Sequence, residues 1–287
     1  MGNFLGYDSK KLAFGMMRLP RAKGKTDLEQ TKAMVDVFME RGFHYFDTAY
    51  VYGDGESERV TKAALVDRYP RDSFWLTDKL PFWDTEKPEE LQEIFEESLR
   101  RTGAGYFDIY LLHALNEDLY AKTERLGAWD FVKGLKERGL IRHFGFSFHD
   151  TPEVLEKILT EHPEAEVVQL QINYADWENP AVQSRGCYEV ARKHNKPILI
   201  MEPVKGSALA TLSPKMREVF KAADPNASVA SWAVRYAASL PGVMTALSGM
   251  STLEQMLDNT SYMADFVPLS KSERETIQKV VELLNDV

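Results

Sequence analysis

The chain has 287 residues, the size of one large α/β domain, and 44% of them are hydrophobic, enough for a sizeable core. Its formal net charge of −9 argues against a nucleic acid or an anionic membrane as a partner. The single cysteine, Cys187, can form neither a disulfide nor a cysteine-based metal site within the chain. With no apolar run of about 20 residues and no signal-peptide pattern, the sequence predicts a cytoplasmic protein, and its oligomeric state stays open.

Short apolar runs alternate with helical patterns from one end of the chain to the other. The runs predicted as strands are residues 12–17, 44–46, 74–79, 106–113, 144–147, 167–172, 197–201 and 244–247. The first helix has capping-box spacing at Thr26 and Glu29, and the eighth has it at Ser251 and Glu254. The polar segment that follows the fourth strand is predicted as a loop leading to a helix near residues 129–138.

Eight strand–helix pairs in strict alternation are typical of a parallel sheet, and their number favours an α/β fold of the (β/α)8 TIM barrel type. An open doubly wound sheet is the alternative. It is weakened because no G-x-G-x-x-G stands between an early strand and a helix. No internal repeat or break in composition interrupts the chain, so we expect a single barrel domain over residues 1–287.

Polar residues fall at the ends of three consecutive predicted strands. Asp47 and Tyr52 follow the second strand, Lys79 ends the third and His113 ends the fourth. In a barrel these ends are neighbours on one rim, which is the catalytic face. A surface lysine or a rim histidine is the plainer interpretation of each residue alone. Their occurrence at successive strand ends makes a convergent group the better hypothesis.

Such a group suits the protonation of a carbonyl oxygen. A tyrosine has an ordinary pKa of about 10, and an ammonium at Lys79 is expected to lower the pKa of Tyr52 toward its task. A carboxylate at Asp47 would keep the lysine charged and in place, and His113 can donate a hydrogen bond to a substrate oxygen. None of the four side chains supplies a hydride, so a cofactor must do so.

The segments that carry these residues resemble those of the aldo-keto reductase family. The likeness includes residues 47–53, Lys79 after Thr77, and residues 108–113. Residues 139–147 resemble the family's signature at the fifth strand. The resemblance extends from about residue 14 to residue 259.

The resemblance implies a (β/α)8 barrel that reduces aldehydes and ketones with NADPH or NADH, with NADPH slightly favoured. It implies that Tyr52 is the general acid, that Lys79 and Asp47 tune it, and that His113 orients the carbonyl. The expected partner is a small-molecule carbonyl compound.

The resemblance also implies a cofactor site built from the later strands. Its residues would be Ser147, Gln171, Met201, Pro203, Val204, Lys205, Gly206, Ser248, Gly249, Met250, Ser251, Gln255 and Asn259. Phe148 stands where the family has Asn, and Met201 stands where it has a stacking aromatic ring. Gly249 and Gln255 replace the Lys and Arg that clamp the 2′-phosphate of NADPH in the family.

Aromatic side chains on predicted loops of the catalytic face could wall a substrate pocket, although aromatics also simply close barrels. They are Tyr50, Phe82, Trp83, Tyr120 and Trp177. His143 and His149 lie close in sequence, but no third ligand is suggested, so no metal site is predicted. A subgroup that the chain resembles carries a C-terminal iron–sulfur domain, whose cluster a single cysteine cannot ligate.

Three functions remain open at this stage. The first is an oxidoreductase that transfers hydride from NAD(P)H to an aldehyde or ketone. The second is a non-catalytic NADPH-binding barrel that acts as a redox-sensing or regulatory subunit. The third is a lyase or isomerase in which Lys79 forms a Schiff base. The complete set of Asp47, Tyr52, Lys79 and His113 favours the first function.

Overall fold

A computed structural model describes residues 4–8 and 10–285, and within them eight parallel strands close into a barrel. The strands are β1 (Leu12–Gly15), β2 (Tyr45–Asp47), β3 (Trp75–Leu80), β4 (Phe107–Leu115), β5 (Ile141–Phe148), β6 (Val167–Gln171), β7 (Ile198–Met201) and β8 (Val243–Ser248). Each strand pairs with the next one along the chain, and β1 also pairs with β8. The predicted (β/α)8 TIM barrel is therefore confirmed. The outermost parts of the predicted domain, residues 1–3 and 286–287, lie outside the described residues.

Helices separate the strands and cover the outside of the barrel. They are α1 (Leu28–Glu40), α2 (Glu56–Thr61), α3 (Pro88–Thr102), α4 (Glu117–Leu126), α5 (Ala128–Glu137), α6 (Pro152–Glu161), α7 (Ser184–Lys193), α8 (Pro214–Ala223), α9 (Val229–Ala238), α10 (Leu253–Met263) and α11 (Lys271–Asn285). A π-helical segment, Lys62–Val66, continues α2. No helix within residues 4–8 and 10–285 is long and apolar enough to cross a membrane.

The inside of the barrel is filled by side chains from alternate positions of the strands, because successive residues of a strand face opposite sides. The buried cluster there includes Ala13, Tyr45, Ile109, Leu111, Val167, Leu199 and Leu247. The residue two positions further along a strand faces the same way, one layer nearer the carboxyl end. Asp47 follows Tyr45 in this manner, and His113 follows Leu111. The alternation therefore directs these polar side chains toward the mouth at the carboxyl ends of the strands.

A glycine permits the close approach of two strands beneath this mouth. A Cβ atom built on Gly145 of β5 would lie 1.9 Å from the carbonyl oxygen of Val167 in β6. No side chain can occupy that space, so the position requires glycine.

The helix caps differ from the predicted ones by one residue. Asp27, not Thr26, caps α1, and its carboxylate accepts a hydrogen bond from the backbone N–H of Gln30. Thr252, not Ser251, caps α10 by accepting from the backbone N–H of Gln255. Both predicted capping boxes were therefore wrong, because each was placed one residue early where two adjacent side chains can serve as a cap.

The segment predicted as a polar loop after β4 is helix α4, so that prediction was also wrong. Asn116 caps the helix by accepting from the N–H of Leu119, and Gly127 ends it in the left-handed conformation. Its buried face consists of Tyr120, Thr123 and Leu126, of which only one is aliphatic. A threonine in this face interrupts the apolar periodicity, which explains why the sequence pattern missed the helix.

Candidate active site

The four residues predicted at successive strand ends meet at one mouth of the barrel. The Lys79 ammonium donates hydrogen bonds to Oδ1 of Asp47 at 2.5 Å, to the carbonyl oxygen of Thr48 at 2.7 Å and to the Tyr52 hydroxyl at 3.2 Å. The rings of Tyr52 and His113 lie edge to face with their centroids 5.9 Å apart. A phenol, an ammonium, a carboxylate and an imidazole thus form one contiguous group.

Lys79 is a fully buried ammonium whose charge depends on its neighbours. Burial by itself lowers the pKa of Lys79, but Asp47 and Tyr52 outweigh this effect, and the pKa lies above its ordinary value. Burial raises the pKa of Asp47, and the hydrogen bonds from Lys79 and Gln169 oppose that rise. Lys79 is therefore a fixed positive charge beside the phenol at neutral pH.

The pKa of Tyr52 differs from the expectation. Burial raises the pKa of the phenol, and the nearby Lys79 ammonium lowers it by less, so that the pKa lies above its ordinary value. The expected net decrease was wrong because desolvation of a phenolate outweighs one neighbouring charge in this site. The phenol consequently stays protonated at neutral pH. Because its oxygen accepts from Lys79, its own proton remains available for donation to a substrate.

His113 is a buried histidine beside the phenol. Burial, followed by the charge of Lys79 and by His149, holds the pKa of His113 well below its ordinary value. Nδ1 of His113 has no hydrogen-bond partner among the described residues. The neutral ring can therefore donate a hydrogen bond to an uncharged carbonyl oxygen without bringing a second cation next to Lys79.

This depressed pKa predicts a loss of stability on acidification. Below pH 6.5 the unfolded chain gains a proton at residue 113 that the folded chain does not take up, so the free energy of unfolding decreases as the pH falls. Between pH 7.5 and pH 5.5 this effect is on the order of 1 kcal/mol. Urea unfolding at both values should show a smaller decrease for His113→Gln than for the wild type by about this amount. An unchanged pH dependence in the variant would contradict the assignment of a neutral buried ring.

A cavity of about 360 Å³ extends from this group along the barrel mouth. Asp47 and Tyr52 line its inner end. Most of the predicted cofactor residues line the remainder, namely Met201, Pro203, Val204, Gly206, Ser248, Gly249, Met250, Ser251, Gln255 and Asn259. The cavity therefore joins the group at the barrel mouth to the loop after β7 and to the beginning of α10, and its volume lies in the usual range for small-molecule sites.

Three predicted cofactor residues do not line this cavity. The Ser147 hydroxyl accepts a hydrogen bond from the backbone N–H of Ala114 at 2.7 Å. Gln171 donates from Nε2 to Asp176 at 2.9 Å, and the Lys205 ammonium also pairs with Asp176. Gln171 and Lys205 thus both bind the carboxylate of Asp176, which directs their side chains away from the cavity.

The aromatic residues predicted to wall a substrate pocket are dispersed. Trp83 is 41% exposed and lies over His113, with the ring centroids 5.2 Å apart. Phe82, the neighbouring residue, is fully buried. We infer that Trp83 is the member of the set best placed to contact a substrate at His113.

The other three aromatic rings pack elsewhere. The guanidinium of Arg101 lies over the ring of Tyr50, 4.3 Å from the ring centroid. Trp177 packs against Tyr188, with the ring centroids 5.4 Å apart. The predicted loop position of Tyr120 was wrong, because Tyr120 lies in α4. Its hydroxyl donates a hydrogen bond to Glu161 in α6.

The two histidines of the stretch 143–149 have separate environments. His143 stacks on Trp75, and its Nδ1 lies 2.9 Å from Glu166. His149 is exposed at the surface, although the neighbouring atoms desolvate its ring enough to lower its pKa. Among residues 4–8 and 10–285, no group of three or more His, Cys, Asp or Glu side chains could hold a metal ion.

Sequence reasoning missed several polar residues of the cavity, among them Gln169, Arg18 and Glu202. Gln169 lines its inner end and donates from Nε2 to Oδ2 of Asp47 at 3.1 Å. Arg18, after β1, reaches across the cavity to the carbonyl oxygen of Gly206 at 2.9 Å and to Glu202 at 3.3 Å. The strand period of two was a usable signal for Gln169, since it places residues 169 and 171 on the same face. No local pattern pointed to Arg18 or Glu202.

The comparison with known families agrees with this geometry. The model of the aldo/keto reductase family matches residues 11–282, which is nearly the whole chain. The chain belongs to the aldo/keto reductase family. Asp47, Tyr52, Lys79 and His113, which lie in segments that suggested this family in the sequence, meet at the barrel mouth.

Individual relatives of this aldo/keto reductase are distant. The aldo-keto reductase AKR2E4 of Bombyx mori is 24% identical over 168 residues, and the match covers 56% of this chain and 54% of the relative. The chain therefore spans about half the length of that protein. An uncharacterized oxidoreductase of Bacillus subtilis, YqkF, is 24% identical over 281 residues, which cover 88% of this chain and 86% of YqkF.

Solved structures of aldo-keto reductases have the same fold. One from Klebsiella pneumoniae, determined in complex with NADPH, superimposes with a TM-score of 0.76 and 21% sequence identity. The match covers 96% of each chain. At this level of identity the likeness concerns the fold alone.

Proposed function

We propose that this aldo/keto reductase transfers hydride from NADPH or NADH to the carbonyl carbon of an aldehyde or ketone, and that Tyr52 is the proton donor. The observation that carries the proposal is the position of the Tyr52 phenol, which lies 3.2 Å from the fully buried Lys79 ammonium at the inner end of the cavity. A protonated phenol that accepts a hydrogen bond from a fixed cation is suited to proton donation, because the cation stabilises the phenolate that remains.

In this proposal each side chain of the group has its own role in proton transfer to the carbonyl oxygen. Tyr52 gives its hydroxyl proton to the carbonyl oxygen, and the electron pair of that O–H bond stays on the phenolate beside Lys79. Asp47 keeps Lys79 charged and fixed through the 2.5 Å contact. Neutral His113 donates a hydrogen bond to the same carbonyl oxygen and orients it. In the reverse direction the same groups accept the proton of an alcohol, so the reaction is reversible in principle.

The cavity has the properties that a dinucleotide requires. Two glycines, Gly15 and Gly249, line it without side chains. The Arg18 guanidinium lies on the cavity wall, where it pairs with Glu202 and donates to the Gly206 carbonyl oxygen, so an anionic group bound there would compete with Glu202. The bound reduced nicotinamide would supply the hydride that no protein side chain can provide.

The relatives support the choice of cofactor. The Klebsiella pneumoniae aldo-keto reductase was solved in complex with NADPH, and we extend NADPH binding to this chain as part of the proposal. The Schiff-base alternative fits the site poorly, because a nucleophilic lysine must be neutral. Lys79 donates to three acceptors and has a raised pKa.

The test of the proposal is oxidation of the reduced cofactor in the presence of a panel of aldehydes, ketones and sugars. We expect cofactor oxidation to depend on the carbonyl compound and to be strongest for at least one class of the panel. If the protein binds the reduced cofactor but none of the carbonyl compounds causes the cofactor to be oxidised, the result would instead support the regulatory-subunit alternative.

Cofactor preference is a separate prediction. Gly249 and Gln255 supply no cation for the 2′-phosphate, and the Lys205 ammonium is paired with Asp176. We therefore expect fluorescence titration to show that NADH binds within about tenfold of NADPH, a difference of about 1.4 kcal/mol. A much larger preference for NADPH would contradict this expectation and would direct attention to Arg18 as the base that holds the phosphate.

A further inference from the structure

The segment after β7, residues 202–207, forms one wall of the cofactor cavity and has an unusual backbone. Glu202 and Lys205 have φ angles of 55° and 48°, in the left-handed region, and Gly206 has a φ of 71°. Glutamate and lysine rarely adopt this region, because the Cβ atom crowds the backbone. Interactions from outside the segment must therefore maintain its conformation.

The supporting interactions converge on Asp176, in the loop after β6. The fully buried carboxylate of Asp176 pairs through Oδ1 with the Lys205 ammonium. Its Oδ2 accepts from Gln171 at 2.9 Å and from Asn173 at 2.7 Å. Asn173 also donates to the carbonyl oxygen of Glu202 at 3.1 Å. The two left-handed residues of the segment that are not glycine, Glu202 and Lys205, are thus both connected to one carboxylate, Lys205 directly and Glu202 through Asn173.

The orientation of Lys205 distinguishes it from its neighbours. Glu202, Pro203, Val204, Gly206 and Ser207 all line the cavity, whereas Lys205 does not. Burial acts to raise the pKa of Asp176, but the hydrogen bonds from Lys205, Gln171 and Asn173 lower it overall, so the carboxylate is charged at neutral pH. The ion pair joins a buried carboxylate to a half-exposed ammonium on the side of the segment away from the cavity, an arrangement that can hold the segment in one conformation.

We propose that Asp176 is a positioning residue for the cofactor: through Lys205 and Asn173 it holds segment 202–207 in the left-handed conformation that shapes the dinucleotide cavity. Asp176 does not line the cavity, so it acts through the segment. Lys205 is the ion-pair partner of Asp176 on the side of the segment away from the cavity, and it does not bind a phosphate of the cofactor. This inference rests on the proposed function, because it assumes that the cavity binds NADPH or NADH.

The test compares Asp176→Asn with Glu178→Gln, which removes the same charge two residues away. Glu178 is an exposed residue whose carboxylate pairs with Arg185 at 2.9 Å, so it is a matched control. Fluorescence titration should show that Asp176→Asn lowers the affinity for NADPH and the affinity for NADH by the same factor, about tenfold. The reason is that the binding-competent conformation becomes less populated. At saturating cofactor the turnover number for a model aldehyde should stay within about twofold of wild type. Glu178→Gln should leave both affinities unchanged.

A second measurement uses the protein without cofactor. Hydrogen exchange of the backbone amides of residues 202–209 should be faster in Asp176→Asn than in the wild type and in Glu178→Gln. If Asp176→Asn does not fold, Lys205→Met removes the same ion pair from the half-exposed side and should give the same results. Lys205→Arg, which keeps the ion pair, should restore both the exchange rates and the affinities.

Two results would overturn the inference. One is unchanged exchange and unchanged affinity for both cofactors in Asp176→Asn or Lys205→Met. The other is a selective increase in NADPH affinity in Asp176→Asn, which would mean that Asp176 merely withholds the Lys205 ammonium from the 2′-phosphate. Failure of the wild type to bind either dinucleotide would instead contradict the proposed function, while the exchange experiment would still test the role of Asp176.

Discussion

Replacing Tyr52 by Phe is expected to lower kcat/KM for a model aldehyde by about 10² to 10⁴-fold, the range usually contributed by a general acid. Only the hydroxyl is removed, and the ring that packs 5.9 Å from His113 and 4.7 Å from the Lys79 ammonium is retained. Affinity for NADPH should remain within about twofold of wild type, because the hydroxyl is directed at the carbonyl oxygen in our account. Steady-state kinetics and fluorescence titration give the two quantities.

The matched control is Tyr50→Phe, in the same loop. The Tyr50 ring contacts Arg101 and does not line the cavity, so loss of its hydroxyl should leave kcat/KM unchanged. Wild-type activity in Tyr52→Phe would remove this residue from the reaction, and an equal loss in Tyr50→Phe would indicate a general disturbance of the loop.

Replacing Lys79 by Met is expected to affect both stability and activity. The substitution leaves the buried Asp47 carboxylate without its cation, which usually lowers the free energy of unfolding by about 3 to 5 kcal/mol. Reduction of an aldehyde should also slow severely, because the phenolate of Tyr52 loses the ammonium 3.2 Å away that would stabilise it. Urea unfolding at neutral pH and steady-state kinetics measure the two effects.

The double variant Asp47→Asn, Lys79→Met separates these effects. It contains neither buried charge, so most of the lost stability should return while the activity stays low. A Lys79→Met protein as stable as the wild type would show that Asp47 does not rely on Lys79 for its charge. Recovery of activity in the double variant would contradict the catalytic role of the ammonium.

The core of the site could be predicted from the sequence because it depends on regular geometry. The strand alternation and the strand ends are visible in the residue pattern, and they are sufficient to bring Asp47, Lys79 and His113 to one mouth. The net direction of the Tyr52 pKa could not be predicted, since it depends on how far burial outweighs one neighbouring charge.

The outer part of the site depends on irregular backbone, and there the sequence was a weaker guide. The direction of Lys205 follows from left-handed residues in segment 202–207 and from a buried carboxylate in another loop, neither of which has a periodic signal. The same holds for Arg18, whose partners Glu202 and Gly206 lie more than 180 positions away in the chain. Gln169 and Gln171 are an intermediate case. The strand period predicts that both side chains lie on the same face of β6, but it does not predict which of the two lines the cavity.

The most direct test of the account follows the hydride itself. The wild-type protein is supplied with reduced cofactor carrying deuterium at both positions of the reactive CH2 carbon of the nicotinamide, together with an aldehyde that it reduces. The alcohol is then analysed by mass spectrometry. The account predicts alcohol with deuterium on the former carbonyl carbon, as required for hydride transfer from the bound dinucleotide. Alcohol without the label, or a covalent adduct between the aldehyde and Lys79, would contradict it.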